Sequence, residues 1–313
     1  MKITILCPWE ISVPLTGYGG IERIAQDLAM EAHKQSHDVT LVCTRSPDAP
    51  DYYRDYKDGG KVDADLVFDM THEKAGSKLP GMTHSNYISY VLLTDKRTRI
   101  NDVYYTDAVR AGFGDRLGKV IYPGIEDHYQ QSHHPSGAFL LFLGRISKHK
   151  RPDIAAQVGR ILGKPVVIAG HVGKWSTDPD PHYIDQIRAM ARESDNIVRL
   201  FENVTEEEKV QLLSHADALI VPSQWSMIGS KESFGIVAVE ALMSGIPVIT
   251  SGEGGLGEIV NPTCGFVCDT LDDYVDAARH IFKIDPGACL ERGSYFRVDR
   301  MLADMIQYWR ECQ

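Results

Sequence analysis

The sequence predicts an α/β fold in two domains, and three observations support this prediction. The chain has 313 residues, which is too long for one ordinary hydrophobic core. Apolar runs of strand length, such as FLLFLG and PVVIAG, alternate with segments whose apolar residues recur at helical spacing, such as HKRPDIAAQVGRIL. Strands that alternate with helices in this way lie parallel and are joined by helical crossovers.

The first domain is predicted to span residues 1–130. It opens with a buried-strand pattern in MKITILC, then a loop that ends at Gly19 and Gly20, then a one-faced helix in the segment IERIAQDLAMEAHK. Strand, glycine turn and helix form the opening of a Rossmann-like unit, where missing side chains let a ligand approach the backbone. The spacing is not G-x-G-x-x-G, so the nicotinamide fingerprint is absent. The turn is therefore either a plain tight turn or a ligand loop.

Further strands and two histidines are predicted in this domain. The strands are expected at Asp38–Cys43, Asp65–Asp69 and Val120–Tyr122, with DAPDYYRDYKDGG as an irregular link. His72 and His84 are expected to follow strand ends, which is where an open α/β sheet builds its site. Each histidine is either a substrate contact or a structural or solvated residue.

The second domain is predicted to span residues 131–295, after a turn-rich linker that begins at Tyr122. Its predicted strands and helices are FLLFLG, HKRPDIAAQVGRIL, PVVIAG, NIVRLF, EEEKVQLLSHA, ALIVPS, the helix after Gly235, IPVIT and LDDYVDAARHIF. Thr205 and Glu208 have the spacing of a capping box. A last amphipathic helix in residues 296–313 is predicted to pack across the domain junction.

The segment ESFGIVAVEALMSG predicts an anion site at a helix start. Its helix is expected to begin at Gly235, and the N–H groups of Gly235, Ile236 and Val237 have no partner inside the helix. Glu232 precedes this start and Glu240 lies further along the helix. Carboxylates accept hydroxyl hydrogen bonds, which suits a sugar and a ribose. The alternative is that Glu232 is a loop residue near a helix start and Glu240 a solvated helix residue.

Two basic residues are predicted at the same sheet edge. Arg145 follows the first strand of the second domain and Lys150 stands at the entry to its helix. Arginine binds two phosphate oxygens in a fork, and lysine supplies a point charge. Gly170, at the end of the next strand, completes the candidate ligand-binding residues. Without a bound anion, this is a basic helix start, which is unfavourable for the helix dipole.

Charge and composition exclude several classes of protein. A formal net charge of −10 argues against nucleic acid and anionic lipid as partners. The N-terminus lacks the pattern of a signal peptide and no run is long enough to span a bilayer, so a cytoplasmic protein is expected. The six cysteines are dispersed and are expected to be reduced, with no metal site.

The segments GRISKHK, VPSQ, ESFGIVAVE and GYGGIER together resemble family 4 of the retaining glycosyltransferases, which has the GT-B fold of two Rossmann-like domains around a nucleotide-sugar cleft. The resemblance implies that Arg145 and Lys150 hold the donor diphosphate, together with Gly19, Gly20 and the backbone of residues 235–237. It implies that Glu240 binds the ribose and Glu232 the transferred hexose. It also implies that His84 lies near that hexose.

Two features depart from the family pattern. The loop Ser223–Ser233 is longer than the usual link, so the sugar pocket is expected to be reshaped around Trp225. The first domain is shorter than usual, which leaves the acceptor unidentified.

The resulting prediction is a retaining, metal-independent glycosyltransferase that uses a UDP-sugar or GDP-sugar and a hydroxyl acceptor. Two matches to the Asp-x-Asp metal motif, at residues 63–65 and 178–180, are read as solvated turns. The alternatives are a nucleotide-sugar epimerase on the same fold and a catalytically silent nucleotide-sugar-binding subunit.

Overall fold

The computed structural model describes residues 1–15, 19–58, 62–72, 74, 85–91, 101–129, 139–172, 180–223 and 232–313. They form two compact units, Met1–Asp127 with Phe296–Gln313, and His128–Tyr295. The domain bounds drawn from the sequence, and the packing of the last helix across a junction, stay predictions.

The first unit contains a parallel sheet. Its strands are β1 Lys2–Leu6, β2 Ser12–Val13, β3 Asp38–Arg45, β4 Tyr53–Asp55, β5 Leu66–Asp69, β6 Tyr87–Val91, β7 Asp102–Tyr104 and β8 Lys119–Val120. Among the described residues the order is β3-β1-β5-β6-β7-β8, and β2 and β4 both pair with β3. Ile3 of β1 lies between Val39 and Leu66 of its two neighbours, and this middle of the sheet is buried.

The second unit has its own parallel sheet. Its strands are β9 Leu140–Arg145, β10 Val166–His171, β11 Val198–Glu202, β12 Ala218–Val221, β13 Val248–Thr250 and β14 Gly265–Val267. Their order is β11-β10-β9-β12-β13-β14. The chain therefore builds the sheet outward from β9 in one direction and then outward from β12 in the other. The gap between the carboxyl ends of β9 and β12 is the switch point, where open α/β sheets bind their ligands.

Helices cover these sheets. They are α1 Gly20–Lys34, α2 Asp107–Gly112, α3 Pro152–Leu162, α4 Pro181–Arg192, α5 Glu206–His215, α6 Ile236–Met243, α7 Leu256–Ile259, α8 Leu271–His280, α9 Pro286–Ser294 and α10 Val298–Glu311. The predicted capping box of Thr205 and Glu208 is confirmed at the start of α5. In the first unit α10 packs against α1. In the described part of the chain, no helix combines the length and the apolar character that crossing a membrane requires.

Two of the segments that differ from the sequence-based prediction lie in the sheet of the first unit. The supposed irregular link at residues 48–60 contains β4, which pairs with β3, followed by a 3-10 turn at Tyr56–Asp58. The strand β6 was not predicted, because its sequence YISYV is rich in polar atoms. Its two tyrosine hydroxyls are satisfied inside the core: the Tyr87 hydroxyl donates to Asp69 at 2.6 Å and the Tyr90 hydroxyl donates to the Ile121 carbonyl at 2.5 Å.

Candidate functional site

The candidate site of the second unit lies at the carboxyl ends of β9 and β12. Arg145 is the last residue of β9, and Ser223 lies just beyond the end of β12. Glu232 comes shortly before α6. These side chains are therefore at the switch point that the strand order creates.

The start of α6 is set by Gly235. Gly235 precedes the helix with φ +100°, a conformation that favours glycine, and a Cβ there would lie 2.5 Å from Leu256 Cδ2. In the described part of the chain no side chain caps this helix, so the N–H groups of its first turn, including those of Ile236 and Val237, lie at the positive end of the helix dipole. The predicted helix start at Gly235 is confirmed.

Glu232 is held in an ion pair at this helix start. Its Oε2 atom accepts from the Lys150 ammonium and, at 3.2 Å, from the Ser223 hydroxyl. The Lys150 and Glu232 side chains are only 20% and 15% exposed. Burial alone raises the pKa of Glu232, but the Lys150 charge, with Ser223 and His149, more than offsets it and leaves the pKa below its ordinary value. Glu232 is therefore ionised at neutral pH.

Arg145 and His149 form a second pair in the candidate site. Arg145 Nη2 is 3.1 Å from His149 Nε2, and His171 stands opposite Arg145 in the register of β9 and β10. Burial, and then the Arg145 charge, lower the pKa of His171. His149 was not predicted as a site residue, although its position between Arg145 and Lys150 in GRISKHK is a signal for one.

Glu240 is buried inside the unit, so the alternative of a solvated helix residue is wrong. It is 1% exposed. Its Oε1 atom accepts from the Tyr129 hydroxyl at 2.9 Å and from the Lys209 ammonium at 2.5 Å. Its Oε2 atom is buried and has no hydrogen-bond partner among the described residues. A buried carboxylate oxygen in this state can accept a hydroxyl from a ligand.

Of the remaining predicted residues, Gly19 and Gly20 belong to the first unit and Gly170 to the second. Gly19, with φ +153°, precedes α1, and Gly20 is its first residue, both in the first unit. A Cβ at Gly170 would lie 2.4 Å from the Gly144 carbonyl oxygen, so close packing alone explains why glycine occupies this position. The role of Gly170 in ligand binding stays a prediction. His84 and Trp225 lie outside the described residues, whereas His72 follows the end of β5.

The two Asp-x-Asp matches have structural partners. Asp63 pairs with the Lys2 ammonium at 2.6 Å, and Asp65 accepts the Lys2 backbone N–H at 2.8 Å, before the start of β5. Asp180 caps α4, whereas Asp178 lies outside the described residues. Across the described ranges, no group of three histidine, cysteine, aspartate or glutamate side chains is placed to hold a metal ion.

Comparison with known proteins identifies the family. The model of the family Glycosyl transferases group 1 matches residues 125–286, more than half of the chain, and the chain belongs to this family. Among curated relatives, it is 30% identical to D-inositol 3-phosphate glycosyltransferase of Corynebacterium aurimucosum over 157 residues, which cover 46% of this chain and 35% of the relative. It is 32% identical to glycogen synthase of Mycobacterium tuberculosis over 173 residues, which cover 53% and 39%. The chain spans little more than a third of the length of these relatives.

Solved structures show the fold over nearly the whole chain. The glycosyltransferase AviGT4, involved in avilamycin A biosynthesis, matches with a TM-score of 0.81 and 24% identity, over 99% of this chain and 97% of AviGT4. Anabaena HepE in complex with UDP and glucose matches with a TM-score of 0.70 and 15% identity, over 99% of this chain and 100% of HepE. The predicted α/β fold of GT-B type, with two Rossmann-like domains, is confirmed.

Proposed function

We propose that the chain transfers a hexose-type sugar from a nucleoside diphosphate sugar to a hydroxyl acceptor, with retention at the anomeric carbon and without a divalent metal. The observation that carries the proposal is that Arg145 ends β9 at the switch point of the second sheet, while Lys150 pairs with Glu232 shortly before the start of α6. The names of the curated relatives, and the UDP and glucose bound by HepE, support the same assignment.

The two basic side chains and the helix start suit a diphosphate leaving group. When the bond between the anomeric carbon and the phosphate oxygen breaks, negative charge grows on the diphosphate. Donors that are already in place stabilise that charge more in the transition state than in the bound substrate. Arg145, Lys150 and the N–H groups of the first turn of α6 would supply this stabilisation without a metal ion.

Glu240 suits the ribose of the nucleotide. Its Oε1 atom is occupied by Tyr129 and Lys209, so its unpartnered Oε2 atom is the part that remains for a ligand hydroxyl. A hydroxyl that donates to a buried carboxylate forms a charge-assisted hydrogen bond. Such a site rejects an analogue that lacks the hydroxyl, because the carboxylate oxygen then stays unpaired.

Glu232 suits the hydroxyls of the transferred hexose. Because Lys150 and Ser223 already engage its carboxylate, we infer that it accepts hydroxyl hydrogen bonds rather than attacking the anomeric carbon. Retention then arises from attack by the acceptor oxygen on the face that the diphosphate leaves. The acceptor proton passes to a leaving phosphate oxygen, the new carbon–oxygen bond forms, and the diphosphate departs.

Calorimetry on two glutamate variants tests the proposal. Glu232→Ala should abolish transfer without lowering the affinity for UDP or GDP, because the hexose is the only part of the donor that Glu232 would contact. Glu240→Ala should weaken the affinity for both the diphosphate and the intact nucleotide sugar. Glu291→Ala, at an exposed position of α9, is the matched control. Equal loss of diphosphate affinity in the first two variants would refute the assignment of these residues.

Assays with and without an acceptor separate the activities. Transfer should require both donor and acceptor, and NMR of the product should show the anomeric configuration of the donor. Inversion of a sugar carbon in the donor with no acceptor present would identify an epimerase. Tight donor binding without turnover across an acceptor panel would identify a silent binding subunit.

A further inference from the structure

The hydrogen bond between Arg145 and His149 defines the protonation state of His149. A guanidinium has donors and no acceptor, so Arg145 Nη2 donates and His149 Nε2 accepts across their 3.1 Å separation. An imidazole nitrogen that accepts carries no proton. His149 is therefore neutral in this structure, with its proton on Nδ1.

The net positive charge of the side chains in this cluster is smaller than the negative charge of a donor diphosphate. Arg145 and Lys150 contribute two positive charges and Glu232 one negative charge, so the described side chains carry a net charge of about +1. The diphosphate of an intact nucleotide sugar carries about two negative charges near neutral pH. An anion that draws the Arg145 guanidinium toward itself would also release His149 Nε2.

We propose that His149 is a further diphosphate-binding residue, which exchanges its bond with Arg145 for one with the donor and takes up a proton as the donor binds. This inference rests on the proposed function. The freed Nε2 gains a proton because two phosphate charges then lie beside the imidazole, and the protonated ring donates to a phosphate oxygen. Donor binding is thereby linked to pH.

Neither Glu232 nor His171 accounts for such uptake. The pKa of Glu232 is lowered, so Glu232 stays ionised. The pKa of His171, on β10, is lowered by burial and by Arg145, so His171 stays neutral. His149 is half-buried on the loop between β9 and α3, where its charge can change.

The test measures proton uptake during donor binding. The probes are UDP-glucose and GDP-mannose, because both of their phosphates are esterified and do not titrate near neutral pH. Calorimetry in buffers of different ionisation enthalpy gives the number of protons bound. The wild type should take up a fraction of a proton at about pH 7, and its affinity should fall about tenfold between about pH 6 and about pH 8.5.

Two neutral variants of similar shape locate the proton. His149→Gln should show no uptake and a nearly constant affinity over this range, within about threefold of the wild type at the alkaline end, where the wild-type imidazole is also neutral. His171→Gln is the matched control and should keep the uptake. Circular dichroism and melting temperature check that both variants are folded, and His149→Asn repeats the test with a shorter side chain.

Each outcome has a defined meaning. Uptake that persists in His149→Gln, or that disappears in His171→Gln, would overturn the assignment to His149. Donor binding by the wild type without proton uptake would overturn the inference and leave the proposed function intact. If neither nucleotide sugar binds at any pH, the proposed function fails and the inference fails with it.

Discussion

Removal of the Lys209 ammonium should strongly destabilise the second unit. Lys209 is the cationic partner of Glu240, and their side chains are only 14% and 2% exposed. Lys209→Met keeps most of the apolar stem but leaves the buried carboxylate with the Tyr129 hydroxyl as its remaining described partner. Breaking one side of a buried ion pair costs about 3 to 5 kcal/mol, because the surviving charge stays in a poorly solvated place.

Urea denaturation measures this loss as a change in the free energy of unfolding. Lys283→Met, at an exposed position, is the control and should change that free energy by less than about 0.5 kcal/mol. Tyr129→Phe removes one hydrogen bond to a charged group and should cost about 1.5 to 3 kcal/mol. The double variant Lys209→Met with Glu240→Gln should be more stable than Lys209→Met alone, since the uncompensated charge is gone.

A Lys209→Met variant that is as stable as the control would refute this prediction. That result would mean that water or a rearranged side chain solvates Glu240, and that the carboxylate is not dependent on its lysine. It would also weaken the assignment of Glu240 Oε2 as a ligand acceptor, because the oxygen would then have solvent as a partner. A stable Lys209→Met that still binds UDP tightly would refute both the buried pair and its role in positioning Glu240.

Two further predictions concern the metal and the thiols. The rate of sugar transfer in excess chelator should equal the rate with added magnesium. Arg145→Ala should slow transfer about tenfold to a hundredfold, because a charge-assisted contact contributes about 1.5 to 3 kcal/mol. Loss of activity in chelator with rescue by metal would contradict this prediction. In a time course of thiol labelling on the native protein, Cys312 should react first, because the other cysteines are buried. Burial also raises the pKa of Cys43 to about 12, which keeps that thiol unreactive. Rapid labelling of Cys43 would contradict this prediction.

The sheet of the second unit was predictable because its strands are buried on both faces. The strands β9, β10, β12 and β13 read as nearly continuous apolar runs separated by helical patterns, and their parallel arrangement follows from that alternation. The start of α6 was predictable for a local reason, since Gly235 adopts a conformation that favours glycine. These features depend on neighbours within a few residues.

The partners of the site residues were not predictable, because they come from distant parts of the chain. Tyr129 and Glu240 are 111 positions apart, and Lys150 and Glu232 are 82 positions apart. Spacing along a helix or strand carries no information about such contacts. The burial of Glu240 was also hidden, since a glutamate in a helix is usually solvated unless a cation comes to it from elsewhere.

The pairing of each glutamate with a lysine explains how two carboxylates can lie beside the proposed anion site. Glu232 and Glu240 are eight residues apart, and bare carboxylates at these positions would repel a diphosphate. Lys150 neutralises the first and Lys209 the second. The positive end of α6 and Arg145 are then left to attract the anion, while each carboxylate still offers lone pairs to ligand hydroxyls. Lys150 belongs to the proposed diphosphate site, whereas the Lys209 pair is deeply buried. The diphosphate of a bound donor would therefore contact Lys150 and leave the pair of Lys209 and Glu240 intact.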